Sequence, residues 1–128
     1  MYGLRIRLYG CAFMTIEINY DKLTSTLTLQ LQQDFDYKLA DAFKQAYERK
    51  AQHYILDMQV VSYLDSSALG MLLSLREYAF AQAAKVSIIN MNDVVLEIFR
   101  VLNFHKIFKP TYNKEYFRVV WVAAPEIE

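Results

Sequence analysis

The chain has few of the residues that disulfide, metal and nucleotide sites require. Its 128 residues include one cysteine, three glycines and two prolines. Cys11 has no second cysteine with which to form an internal disulfide, and no paired spacing indicates zinc. A loop that cradles phosphate is rich in glycine, whereas Gly3, Gly10 and Gly70 stand apart. The sequence therefore excludes a Walker-type nucleotide site and predicts no metal and no cofactor.

The chain also lacks a charge surplus and a long apolar run. Lys plus Arg and Asp plus Glu both number 14, so we expect no basic face for nucleic acid or an anionic membrane. No stretch approaches the roughly 18 apolar residues that cross a bilayer. Arg5 and Arg7 interrupt the apolar N-terminus, where a secretory signal has an unbroken apolar segment. We therefore predict a cytoplasmic protein.

Apolar and aromatic residues are abundant. The hydrophobic fraction is 55%, with 8 Phe and 10 Tyr, which excludes disorder. A chain of this length fits one domain with a real core. No repeat, low-complexity tract or linker indicates a second domain.

Hydrophobic spacing predicts alternating strands and helices. Period-two alternation favours strands at 14–20 and 24–31, joined in a hairpin, and helical spacing follows from Leu39 to Tyr47, with Asp36 as N-cap. The rest of the chain predicts a strand at 54–58, a helix from Asp65 or Ser66 to near Ala84, and a strand at 85–90. A third helix follows, capped by Asn92 or Asp93, and a short strand at 107–108 comes last. The residues of the third helix that we expect to face the core are Val95, Ile98, Phe99 and Leu102.

Segment 113–123 fits both a strand and a helix. We predict a helix, since Tyr116, Val119, Val120 and Ala123 fit one helix face. The alternation of strands and helices implies parallel pairing with right-handed crossovers, and the initial hairpin makes the sheet mixed. The predicted class is α/β, with a small sheet of about four or five strands packed with about four helices.

The segment Asp65-Ser66-Ser67-Ala68-Leu69-Gly70 places hydroxyls where a strand gives way to a helix. A serine there can be a cap, a nucleophile or a phosphorylation site. The nucleophile elbow is Gly-x-Ser-x-Gly, whereas Leu64 and Ala68 stand at the glycine positions. His53 is expected at the far end of the preceding strand, although spacing alone does not exclude His105 as a base. We predict that the chain is not an enzyme.

The helix that begins at this segment is apolar on several sides. We expect Leu69, Leu72, Leu73 and Phe80 to face the core. Met71, Leu75 and Tyr78 fall largely off that stripe and predict an exposed partner surface. The alternative, that the terminal segment covers them, stays open.

The stretch from Ile55 to Leu73 resembles the central signature of STAS domains, and in particular of the bacterial anti-sigma factor antagonists. In that family a strand ending in hydrophobic-x-Asp leads to Asp-Ser-Ser/Thr-Gly-Leu-Gly at a helix start, as Asp57 and Asp65 to Gly70 do here. The likeness runs from about Met14 to about Phe108. It implies a single STAS domain at 14–128, with residues 1–13 as an extension that is a misassigned start or an added strand.

The resemblance also implies a function. Family members bind an anti-sigma factor, often a serine kinase of histidine-kinase-like ATPase fold, and so release a sigma factor. The kinase phosphorylates the serine after the motif aspartate, here Ser66, and a phosphatase reverses it; Ser67 is the weaker candidate. The implied partner surface comprises Asp65, Ser66, Ser67, Ala68, Met71, Leu75, Tyr78, Asp34 and Asp36.

Two departures and three alternatives accompany the resemblance. Ala68 replaces the glycine after the serines, and Gln32 or Gln33 replaces a glycine before the first helix. Some single STAS domains are instead accessory subunits that dock on a transporter ATPase, and Ser66 could serve as an N-cap alone. Homodimerisation also stays open.

Overall fold

The structure, a computed structural model, describes residues 3–9, 16–31, 34–115 and 117–124. Met14 in the first predicted strand, Cys11, the glycine replacements Gln32 and Gln33, and Tyr116 lie outside these residues.

Seven strands and three α-helices occupy the described chain. In chain order they are β1 (Gly3–Tyr9), β2 (Ile16–Asp21), β3 (Thr26–Leu31), α1 (Ala40–Tyr47), β4 (His53–Asp57), α2 (Ser66–Phe80), β5 (Lys85–Ile89), α3 (Asp93–Val101), β6 (Phe108–Asn113) and β7 (Arg118–Ala123). Short 3-10 turns at Tyr37–Leu39 and Phe104–Lys106 precede α1 and β6. The predicted α/β class is confirmed, with more strands and fewer helices than expected.

The sheet is mixed, as predicted. Its strand order is β1-β2-β3-β4-β5-β7-β6. β3, β4 and β5 pair in parallel, and all other neighbours are antiparallel. β1, which lies in the N-terminal extension, pairs with β2 at one edge.

The predicted helix at 113–123 is wrong, because this segment closes a hairpin. β7 pairs with both β6 and β5, and Ile88 faces Trp121 across the latter pair. Burial alternates over the second half of β7, where Trp121 and Ala123 are buried and Val120 and Val122 are half-buried. Period-two burial requires a strand.

Capping residues fix the helix starts. Asn92 accepts a hydrogen bond from the Val95 amide at 2.8 Å, as predicted for the third helix. Asp36 caps the 3-10 turn that leads into α1, rather than α1 itself. α2 ends at Phe80 rather than near Ala84, because the chain turns at Ala83, where φ is 58°.

One side of the sheet forms the core. A single row crosses five strands through the register pairs Ile18, Leu29, Leu56, Ile88 and Trp121. The first four side chains are fully buried, and each contributes about 1.5–3 kcal/mol of transfer free energy. The connections β3-α1-β4 and β4-α2-β5 are right-handed crossovers that run in the same direction along the sheet. Both therefore place their helices, α1 and α2, on this side.

The other side of the sheet is more polar. Its matching row runs through Asn19, Thr28, Ile55, Ser87 and Val122. Together with the β2–β3 and β6–β7 hairpins, this row forms a shallow trough of about 740 Å³. The helices and this trough therefore lie on opposite faces.

Candidate functional site

The N-terminus of α2 is held by Asp65. Its backbone is extended, with φ −127° and ψ −173°, as an N-cap requires. Its Oδ1 accepts hydrogen bonds from the Ser67 amide at 3.0 Å and from the Ser67 hydroxyl at 2.5 Å. Asp65 and Ser67 are half-buried and are both engaged in this cap.

Ser66 is the exposed one of the two serines. It is the first residue of α2, and within the described residues its hydroxyl makes no hydrogen bond. The positive end of the α2 dipole lies beside it. Of the two serines, Ser66 is therefore the one whose hydroxyl is free to react.

The loop before α1 lies against the loop before α2. Phe35 forms a parallel bridge with Leu64, and the Phe35 amide donates to the Tyr63 carbonyl at 2.9 Å. The Ser62 hydroxyl donates to Asp34 Oδ1 at 3.3 Å. This bridge places exposed Asp34 near the start of α2.

Asp36 has a structural role in this loop. Only 8% of it is exposed. Its Oδ1 accepts a hydrogen bond from the Lys38 amide at 3.0 Å, and its Oδ2 lies 3.6 Å from Lys38 Nζ. Asp36 is therefore a poor candidate for direct contact with a partner.

The predicted exposed strip on α2 is wrong in part. Leu75 is fully buried, because α2 presents Ala68, Leu72, Leu75 and Ala79 to the core. Ala68, expected at the partner surface, is also fully buried. Met71 and Tyr78 are half-buried, as are Leu69, Leu73 and Phe80, which were expected to face inward.

Neighbouring elements reach the remaining part of that strip. The Tyr78 ring packs against those of Tyr47 and Tyr54, with centroids 5.4 Å and 6.3 Å away. Arg76 Nε donates to the Ala124 carbonyl at 2.8 Å, so the segment after β7 lies against α2. The second half of α2 is thus largely occupied by this chain.

A groove beside Ser66 was not foreseen. Its lining residues come from the start of α2 and from α3: Tyr63, Leu64, Asp65, Ser66, Val94, Glu97, Ile98, Val101 and Leu102. Its volume is about 540 Å³. Ile98 and Leu102, predicted to lie inside, are half-buried and face this groove, whereas Val95 and Phe99 fill the core. The signal in the sequence was the presence of apolar residues on two sides of α3.

Neither histidine is placed to activate Ser66. His53 begins β4, whose opposite end leads towards α2, and its Nε2 lies 2.8 Å from the Ser87 hydroxyl. Burial lowers the pKa of His53, and the Lys85 ammonium lowers it further. His105 lies in the turn after α3, where its Nδ1 is buried without a hydrogen-bond partner. No hydrogen bond joins either imidazole to Ser66.

The described residues contain neither a metal-binding cluster nor a membrane-spanning helix. No cluster of three or more His, Cys, Asp or Glu side chains among them could hold a metal ion. Within the same ranges, no helix is long and apolar enough to span a bilayer.

Comparison with known proteins gives the family. The STAS domain family model matches residues 17–117. A STAS-domain containing protein of Pseudomonas aeruginosa strain UCBPP-PA14 is 43% identical over 86 residues, which cover 65% of this chain and 85% of the relative.

Solved structures show the same fold. The anti-sigma factor antagonist SpoIIAA in its unphosphorylated form is similar with a TM-score of 0.55 and 16% identity, over 66% of this chain and 81% of that one. A sulfate transporter family protein from Wolinella succinogenes gives 0.51 and 16%, over 63% and 74%. The phosphorylated form of SpoIIAA, a Bacillus cell fate determinant, gives 0.51 and 17%, over 69% and 83%. The chain belongs to the STAS domain family.

Proposed function

We propose that this protein is an anti-sigma factor antagonist that phosphorylation of Ser66 switches off. In this proposal it is a cytoplasmic, non-enzymatic protein that binds an anti-sigma factor and so releases a sigma factor. The anti-sigma factor is a serine kinase of histidine-kinase-like ATPase fold, and a phosphatase restores binding. The observation that carries the proposal is the exposed, uncommitted hydroxyl of Ser66 beside a groove on the surface.

The fold can accept a phosphate at Ser66. The phosphate adds about 1.5 to 2 negative charges at neutral pH. The positive end of the α2 dipole favours an anion there by about 0.3–1 kcal/mol, whereas the Asp65 carboxylate opposes it. Because Ser66 is exposed, no packing is displaced. We therefore expect phosphorylation to change the surface rather than the structure.

A phosphate at Ser66 would nevertheless weaken binding. Ser66 lies at the edge of a groove whose lining includes Ile98 and Leu102. A partner that covers the groove removes water from Ser66. Removing water from an uncompensated charge costs on the order of several kcal/mol, which corresponds to about a thousandfold or more in affinity.

Affinity capture from the native cell tests this proposal. The bait is the wild-type chain, with the Ser66→Ala and Ser66→Asp variants in parallel, and the captured chain is analysed for its phosphorylated residue. We expect wild type and Ser66→Ala to retain an anti-sigma factor and Ser66→Asp to lose it. Recovery of a transporter ATPase by all three baits would contradict the proposal and favour the accessory-subunit alternative.

A further inference from the structure

α3 carries a second apolar side that the described part of the chain leaves uncovered. Val95 and Phe99 face the core, whereas Val94, Ile98 and Val101 recur at i, i+4 and i+7 on the side of the groove. Val94 is 62% exposed and Val101 is 73% exposed. A strip with this spacing matches the way in which one helix packs along another.

The rims of the groove are acidic. Glu97 and Asp93 are both exposed and lie one turn apart on α3, at the outer edge of the strip. Asp65 lies on the opposite wall. None of the lining residues is Lys, Arg or His. The guanidinium of Arg100, the basic residue of α3, lies 5.8 Å from the Trp121 ring centroid, on the other side of the helix.

We infer that this groove receives an amphipathic helix of the partner, whose apolar side is flanked by lysine or arginine along the rim formed by α3, on the side away from Ser66. The inference rests on the proposed function, because it names the partner chemistry for that same surface. Apolar anchors fill the space between Tyr63 and Ile98, and the flanking cations pair with Glu97 and Asp93. Opposite charges across a rim steer association and fix the orientation of the bound helix.

Among the described residues, no helix of a second copy supplies such an arrangement of cations. α3 has Arg100 alone, whose guanidinium lies over the Trp121 ring. The sequence of α1 is ADAFKQAY, with Lys44 as its one cation, and the Lys44 ammonium already lies 4.0 Å from the Glu48 carboxylate. α2 carries one arginine, Arg76, whose guanidinium contacts Phe80 and the Ala124 carbonyl. We therefore assign the required arrangement of cations to a different protein.

Two synthetic helical peptides of about 18 residues test the inference, since shorter peptides are poorly helical in water. They share one leucine side and differ only in the flanking residues, which are lysine in one and glutamate in the other. Fluorescence anisotropy measures binding to the full chain at low and high salt. We expect the lysine peptide to bind about tenfold more tightly at low salt, and the difference to shrink as salt rises.

Matched variants locate the binding. Val101→Arg should weaken the lysine peptide about tenfold, because it places bulk and like charge in the groove. Leu23→Arg, at a side chain 77% exposed in the β2–β3 turn, should have no effect. Equal binding of the two peptides, no binding of either, or equal effects of the two arginine variants would overturn the inference. A wild-type dimer that Val101→Arg dissociates would also overturn it, by identifying a second copy as the occupant.

The outcome can be separated from that of the proposed function. If the lysine peptide behaves as expected but capture returns no anti-sigma factor, the proposed function fails and the groove inference stands. If capture returns an anti-sigma factor that Val101→Arg still binds like wild type, the proposed function stands and the groove inference fails.

Discussion

Phe35 and Leu64 form a parallel bridge that joins the loop before α1 to the loop before α2. Both side chains are buried, and the Phe35 ring centroid lies 5.3 Å from that of Phe43. The bridge makes one continuous surface from two segments that are distant in sequence. Asp34 and Ser66 belong to this surface, whereas Asp36 faces its supporting turn.

Asp34 and Asp36 should therefore differ in what their removal changes. Asp36→Ala is expected to lower the free energy of unfolding by about 1 kcal/mol, because it removes the cap of the 3-10 turn. Asp34→Ala should stay within about 0.5 kcal/mol of wild type. Urea denaturation followed by the fluorescence of Trp121, the single tryptophan, measures both. Equal losses of unfolding free energy in the two variants would show that Asp34 and Asp36 do not differ in structural role.

Ser66 variants separate charge from size. Ser66→Asp should lose the captured partner, whereas Ser66→Asn, which has a neutral side chain of the same size, should keep most of the binding. Surface plasmon resonance with the captured partner gives both affinities. Similar losses in the two variants would attribute the effect to bulk and not to charge.

The two serines should respond differently to the kinase. Ser66→Ala should abolish phosphorylation, and Ser67→Ala should retain it. Ser67→Ala should instead lower the free energy of unfolding by about 0.5–1.5 kcal/mol, because the hydroxyl hydrogen bond to Asp65 is lost. Incorporation of labelled phosphate and urea denaturation provide the two readouts. If Ser67→Ala loses the label and Ser66→Ala keeps it, the phosphorylated residue is Ser67 and not Ser66.

Leu75 should behave as a core residue. Leu75→Ala is expected to cost about 2–5 kcal/mol, because it leaves a cavity where α2 meets the sheet. Leu23→Ala, at an exposed side chain, is the matched control and should change stability by less than about 0.5 kcal/mol. A Leu75→Ala variant as stable as this control would mean that Leu75 is not packed as described.

His53 should make stability depend on pH. Burial and Lys85 lower its pKa in the folded state, so the unfolded state binds the proton more readily. Stability should therefore fall as pH decreases through the unfolded value of about 6.5. Urea denaturation at about pH 7 and about pH 5 should show a smaller decrease in His53→Gln than in wild type. Leu23→Ala, at an exposed side chain, is the control and should retain the wild-type dependence.

Local patterns predicted those elements whose residues fit only one spacing or one capping rule. The β2–β3 hairpin, β4, β5 and the Asn92 cap each follow from spacing or from one capping side chain. Segment 118–123 did not, because its apolar residues suit both periods. Its pairing with β6 and with β5, which precedes α3 in the chain, decides between them. These contacts are made with other segments, so the residues of 118–123 alone do not indicate them.

The site was predictable at its polar residues and less so at its apolar ones. Asp65 and Ser66 stood out because caps follow simple local rules. On α2, large side chains surround the helix, so the hydrophobic pattern does not single out the small Ala68 and Ala79. These two residues are buried and allow close approach to the core. On α3, Val95 and Phe99 face the core and Ile98 and Leu102 face the groove, but the sequence spacing places all four on one stripe. The spacing therefore does not predict the groove.

The strand order has a consequence for the way in which this chain is made. β5 gains its second neighbour only when β7 is present, after α3 and β6 have been synthesised. Until then a nascent chain exposes the backbone of a strand that carries Val86 and Ile88, a ready template for pairing with other chains. During translation, the interval between β5 and β7 is thus the period in which a chaperone would be of greatest use.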